Sequence, residues 1–173
     1  MGETVWYRIV GRKRATREDV LPARLGRFHE DPVTQPTSYL GESLLTVWKE
    51  AQAARAGSAR LNPEAFMGWK VTIRDAVFVD FREAKERKTW VVSEAELLGD
   101  PAPPKCKELA QTLRRSKEQY HGILYKSVRH PPNGICLALF LDQTDIIGHF
   151  ERVPDKEWKE FVEGLTKEKG VDR

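Results

Sequence analysis

The sequence predicts an α+β domain, and three observations carry that expectation. Stretches rich in β-branched and aromatic residues alternate along the chain with segments of helical period, and an amphipathic helix comes last. At 173 residues, with 40% hydrophobic and 32% charged residues, the chain suits one globular domain, taken as residues 1–173, around a single core. No internal repeat and no interdomain linker divides it.

Val5-Trp6-Tyr7-Arg8-Ile9-Val10, ending at Gly11, reads as the first strand. The next thirty or so residues hold Pro22, Pro32 and Pro36 and few periodic apolar positions, which suggests irregular structure with short strands, one ending at Tyr39. From Glu42 the period becomes helical through Leu44, Val47, Trp48 and Ala51, with Gly57 as a sensible stop. Glu50 falls on the flank of that apolar stripe, on the side it shares with Ser43, and no cation lies three or four residues away to pair with it.

Trp69 to Asp80 alternates imperfectly and reads as one long or bent strand. Ser93-Glu94-Ala95-Glu96 has the spacing of a capping box before Leu97-Leu98, and Asp100-Pro101-Ala102-Pro103-Pro104 is a turn into a helix through Leu109, Ala110 and Leu113. Gly122 to Tyr125 and Ile135 to Leu141 are strands around a Pro-Pro-Asn-Gly turn. The second is apolar throughout, as in a strand covered on both faces. A last strand near Ile146 to Val153 and a short amphipathic helix from Asp155 to Leu165 follow.

Lysine and arginine outnumber the acids by three and are interleaved with glutamates, as in Arg82-Glu83-Ala84-Lys85-Glu86-Arg87-Lys88, which reads as a solvated face and argues against direct nucleic-acid binding. Cys106 and Cys136 lie far apart without CxxC spacing, so reduced thiols are expected. Met1 to Arg14 lacks the apolar run of a secretory signal, and no stretch approaches the roughly 20 apolar residues of a membrane span. A cytoplasmic protein without membrane attachment is the expectation. The four histidines, His29, His121, His130 and His149, are not spaced as metal ligands, so no metal is expected. P-loop, GxGxxG, HExxH and GxSxG motifs are absent.

Four residues stand out as candidates for chemistry. Arg27, between Gly26 and Phe28, can present a guanidinium fork to a diphosphate; the plainer role is a surface ion pair. Tyr39, at the end of an extended segment before a helix, can stack on a flat heterocycle or bind a sugar; otherwise it is a core or rim tyrosine. Glu50 can stabilise an oxocarbenium-like transition state or bind a ribose hydroxyl; otherwise it is a solvated helix glutamate. Ser127, between a strand and a proline-rich turn, can meet a ligand or cap the turn.

Taken in order, Trp6-Tyr7-Arg8-Ile9, Gly26-Arg27-Phe28-His29, Tyr39-Leu40-Gly41-Glu42-Ser43 with Glu50, and Gly122 to Arg129 leading to Cys136-Leu137-Ala138-Leu139-Phe140 resemble the RES domain family, over about Trp6 to Phe150. The resemblance implies an ADP-ribosyltransferase-like fold with a mixed, split β-sheet and flanking helices. It places the family's arginine, glutamate and serine at Arg27, Glu50 and Ser127, and its tyrosine at Tyr39. Arg27, Tyr39 and Glu50 would be catalytic, with Arg27, Tyr39 and Ser127 binding substrate. It further implies NAD as substrate, cleaved at the nicotinamide–ribose bond by a glycohydrolase or phosphorylase, and an Xre-type antitoxin or immunity protein as partner. Two departures stand out: Leu25 replaces a second glycine, and His29 an asparagine. ADP-ribosyl transfer to a protein, a ribonuclease-like toxin using His29 or His130, and a non-catalytic binding module are the alternatives.

Overall fold

Seven strands form one sheet in the order β4-β5-β6-β2-β1-β3-β7, in a computed structural model that describes residues 2–13, 16, 20–21, 26–29, 31, 33–54, 62–99, 101–142 and 144–168. Leu25, Pro22, Pro32 and Gly57 lie outside the described residues. The strands are β1 (Glu3–Gly11), β2 (Thr37–Gly41), β3 (Phe66–Arg74), β4 (Phe78–Asp80), β5 (Gly122–Lys126), β6 (Ile135–Phe140) and β7 (Ile147–Arg152). The helices are α1 (Leu44–Ala53), α2 (Ala84–Thr89), α3 (Glu94–Leu98), α4 (Pro104–Arg114) and α5 (Asp155–Glu168). Only β4 and β5 pair in parallel; every other pairing is antiparallel, so the sheet is mixed.

Local chemistry accounts for the elements. Ser43 caps α1 by accepting the Thr46 N–H at 3.1 Å, and Ser93 and Glu96 close a full capping box on α3. Pro104 opens α4, where its missing N–H costs nothing. Every residue of β6 from Cys136 to Phe140 is buried, because helices cover one face and the curled sheet covers the other.

Trp69 to Asp80 is two strands, not one long or bent strand. Asp75, at φ 50°, breaks the run, leaving β3 and β4 in separate parts of the sheet. Their positions are five strands apart, ~24 Å in a flat sheet at ~4.8 Å per strand. Arg74 to Phe78 can span at most about 14 Å. The sheet must therefore curl until its ends approach, and the side chains inside the curl bear this out: Phe78 of β4 packs in one cluster with Val71 and Ile73 of β3, Leu137 and Leu139 of β6, and Ile147 of β7.

The curl has a seam. β1 and β2 share a single register pair, Tyr7 with Gly41, whereas β1 and β3 pair along their whole lengths. Arg8 reinforces the seam with its side chain, donating to the Tyr39 carbonyl at 2.9 Å. The sheet is thus split into a β4-β5-β6-β2 half and a β1-β3-β7 half. Register places Tyr7, Gly41, Cys136 and Tyr125 in one row across four strands on the outer face. On that face α3 and α4 pack against the first half through Leu97, Leu109 and Leu113. Leu44 and Trp48 of α1 and Trp158 of α5 pack with Phe66 of the second half.

Candidate functional site

The site is built on that outer face, beside the seam. Gly26 and His29 form an isolated antiparallel bridge, a tight turn that carries Arg27 and Phe28. Its shape is set by a tyrosine from β2: the Tyr39 hydroxyl accepts the Phe28 N–H at 2.8 Å and lies 3.1 Å from His29 Nδ1. Any side chain at residue 26 would collide with that ring, since a Cβ on Gly26 would stand 2.1 Å from Tyr39 Cε2. Burial drives the Tyr39 phenol well above its usual range, against the pull of the Phe28 N–H and the Arg27 and Arg114 charges, so the hydroxyl stays neutral.

Arg27 is half-buried and partly spent. Its Nη1 donates to the Leu97 carbonyl at 2.9 Å and the Gly99 carbonyl at 2.8 Å, at the C-terminal end of α3. Those carbonyls lack helical partners and carry the negative end of the helix dipole, which favours a cation there. Nε and Nη2 take no part in these two bonds, and the guanidinium also meets the buried Cys106 thiol.

Glu50 and Ser127, 77 residues apart, meet directly: Ser127 Oγ donates to Glu50 Oε1 at 2.5 Å. Ser127 is 3% exposed and its Oγ also accepts the backbone N–H groups of Arg129 and His130, at 3.2 and 2.9 Å. It caps its turn and holds the carboxylate at once. The Arg129 N–H at 3.4 Å and the Cys136 thiol at 3.9 Å complete the surroundings of Oε1. All of these contacts fall on the one oxygen.

Tyr125 joins the two groups. It is buried, its ring meets Phe28 edge-on with centroids 5.1 Å apart, and it lies next to the Ser127 turn. Burial drives its phenol well above the usual range, with Cys136, Tyr39 and Glu50 adding to the rise and Arg27 opposing it. One hydroxyl thus feels all of them. Burial also pushes the Cys136 thiol far up, with the Glu50 charge adding to it. A small depression lined by Phe81, Glu94, Leu97, Leu98, Tyr125 and Lys126 opens alongside.

The structure thus brings Glu50 to Ser127 and Tyr39 to the turn that carries Arg27, and packs Phe28 of that turn against Tyr125. Tyr125, Cys136 and the Thr46–His130 contact, at 3.0 Å, were not singled out by sequence. A signal existed for the first: Tyr125 stands two residues before Ser127, which directly follows the strand, and extended chain puts such a pair on one face. His29 is buried at 1% exposure. Among the described residues no group of three or more His, Cys, Asp or Glu side chains is arranged to hold a metal, and no helix is long and apolar enough to cross a membrane.

Comparison with known proteins bears on the family and the fold. Residues 5–159 match the RES domain. No curated protein matches the chain. Among solved structures, a chain from the crystal structure of the M. tuberculosis MbcT–MbcA toxin–antitoxin complex superposes with a TM-score of 0.64 at 18% identity, covering 92% of this chain and 88% of that one.

Proposed function

The chain belongs to the RES domain family, and from that premise we propose that it is an NAD-degrading enzyme, a glycohydrolase or phosphorylase, acting in the cytoplasm as the toxin of a toxin–antitoxin pair. The observation that carries this reading is the Glu50 carboxylate, fixed through Oε1 by Ser127 at 2.5 Å, on the same face as an arginine anchored by two carbonyls.

The chemistry suits such a site. Cleavage breaks the bond between ribose C1′ and the nicotinamide nitrogen; the bonding pair leaves with the nitrogen, neutralising the pyridinium, so the leaving group needs little acid help. The burden is the positive charge left on the sugar. Glu50 supplies the opposing charge or holds the 2′-hydroxyl. Arg27 offers Nε and Nη2 to the diphosphate while Nη1 stays anchored. The Tyr39 hydroxyl is engaged by the Gly26–His29 turn, so its ring face is what remains for the nicotinamide or ribose. Ser127 orients Glu50. Water or inorganic phosphate then adds to C1′.

The structurally similar chain comes from a complex of a toxin with its antitoxin, which supports a protein partner here, and an Xre-type antitoxin is the one proposed. Neither histidine offered for a ribonuclease-like reading is well placed: His29 is enclosed beside Tyr39, and His130 Nδ1 is engaged by Thr46.

The test is nicotinamide release from NAD by purified protein, with and without inorganic phosphate, beside Glu50→Gln and Arg27→Ala. Release that both substitutions abolish is expected, and a phosphate requirement would identify a phosphorylase. Intact NAD together with transfer of NAD-derived label to lysate proteins would replace lysis by ADP-ribosyl transfer. Intact NAD without transfer would leave a binding module.

A further inference from the structure

Helix α1 turns one face toward the loop between β5 and β6, and two residues one turn apart on that face reach it. Glu50 meets Ser127. Thr46, fully buried, places Oγ1 3.0 Å from His130 Nδ1 and 2.9 Å from Ser43 Oγ. We propose that His130 is a positioning residue: through Thr46 it pins the loop that carries Ser127 to the helix that carries Glu50. The inference rests on the functional reading above and deepens it, assigning His130 to geometry and not to proton transfer.

The loop holds its own shape without the imidazole. Ser127 N–H donates to the Gly134 carbonyl and Gly134 N–H to the His130 carbonyl, both at 2.7 Å. Ser127 Oγ accepts the Arg129 and His130 N–H groups. Packing inside the loop is tight enough that a Cβ on Gly134 would lie 2.7 Å from His130 Cβ and 2.8 Å from Ser127 Cβ. The His130 side chain points outward from this closed unit, to α1.

Ser43, Thr46 and His130 form one hydrogen-bonded chain whose direction goes with the imidazole tautomer. Ser43 Oγ accepts the Thr46 N–H. If the Ser43 hydroxyl donates to Thr46 Oγ1 and the Thr46 hydroxyl to His130 Nδ1, both hydroxyl hydrogens are used within the chain. That direction requires the imidazole with its proton on Nε2. The helix cap, the bridge and the loop then form one directional chain, and the Glu50–Ser127 contact lies one turn further along the same helix face. Without the bridge the loop remains folded but is free to drift from α1, and Ser127 drifts with it. A displacement of about 1 Å at a reacting site costs on the order of a hundredfold in rate.

The test combines turnover with a double-variant cycle across the Glu50–Ser127 contact, each in His130→Ala, His130→Asn and Thr46→Val. His130→Ala and Thr46→Val are each expected to lower kcat for NAD cleavage by about ten- to a hundredfold with little change in KM, and the double variant to be no worse than either single. His130→Asn, whose amide oxygen can accept from Thr46 where Nδ1 does, is expected to recover activity to within about threefold of the parent. An inactive His130→Asn beside an active Thr46→Val would overturn the proposal in favour of proton transfer by His130. The coupling between Glu50 and Ser127, read from Glu50→Gln, Ser127→Ala and the double variant in urea melts, gives a reading independent of NAD: it should persist in the parent and in the His130→Asn background and shrink in the His130→Ala and Thr46→Val backgrounds. An unchanged coupling in the His130→Ala background refutes positioning even if NAD is cleaved, whereas a parent that leaves NAD intact yet shows the expected coupling pattern defeats the functional reading alone. His130 is only half-buried, so His130→Ala folds even if the buried Thr46→Val does not.

Discussion

The Tyr39 hydroxyl accepts the Phe28 N–H at 2.8 Å, so a strand of the sheet reaches out to close the turn that presents Arg27. Removing that oxygen leaves a donor unpaired in a part-buried site. Tyr39→Phe is expected to cost about 1–3 kcal/mol in a urea melt. Gly26→Ala, which drives a methyl into the same ring, is expected to cost a similar ~1–3 kcal/mol. Because both act on one contact, the double variant should fall short of their sum.

Arg27→Lys separates anchoring from charge. An ammonium can replace the positive charge but cannot hold the Leu97 and Gly99 carbonyls with one nitrogen and keep a second edge free for phosphate. KM for NAD should rise by about tenfold or more, a change steady-state kinetics will show. Full activity in the lysine variant would mean that only charge matters there.

Helix α2 ends with an unusual residue. Val92 N–H bonds to the Arg87 carbonyl and Val91 N–H to the Lys88 carbonyl, the paired closure usually completed by glycine in a left-handed conformation. Here the residue is Val91, at φ 50° and 78% exposed. Val91→Gly is expected to stabilise the protein by about 1 kcal/mol, read from the denaturation midpoint, and Val91→Ala by less.

Acid should destabilise the fold. At Asp80 burial pushes the carboxyl up but is outweighed by the Arg82 side chain and backbone N–H, which hold it below its usual range. The Val33 N–H and Thr34 hydroxyl lower Asp31, the Lys126 ammonium lowers Glu94, and the Ser93 N–H and hydroxyl lower Glu96. These carboxyls bind protons more weakly in the folded than in the unfolded chain. Their stabilisation is complete above about pH 5 and is lost as pH falls through the folded values, below about pH 4. Urea midpoints measured across that range should fall with falling pH, and a flat profile would contradict the assignment.

Burial raises both cysteine thiols, Cys136 further than Cys106. Neither should react with a thiol reagent at neutral pH while the chain is folded, and both should react in denaturant.

Much of this could be read from the sequence where the signal is local. Strand β6 shows as an unbroken apolar run, α3 as its capping box, and the facing of Glu50 as its seven-residue separation from Ser43. What escaped depends on distant partners or on one unusual backbone angle. Asp75 looks like an ordinary polar position in an alternating strand, yet its φ of 50° divides β3 from β4. The glycine at 26 signals a turn, but that Tyr39 occupies the space of its side chain is a tertiary fact. Thr46 and His130 are 84 residues apart, beyond any helical or strand period. The end of α2 gave no cue because a valine stands where glycine is expected.

The single rung between Tyr7 and Gly41 has a consequence for the molecule's mechanics. Glu50 rides on a helix whose apolar side is packed with the β1-β3-β7 half, whereas Ser127 belongs to the β5–β6 hairpin of the other half. In backbone pairing the two halves are like jaws joined by one rung, backed by the Arg8 side chain and the packing inside the curl, and the catch on the outer face is the serine–carboxylate contact. Whatever binds across it braces both jaws together, so occupancy would stiffen the whole domain and not only the cleft.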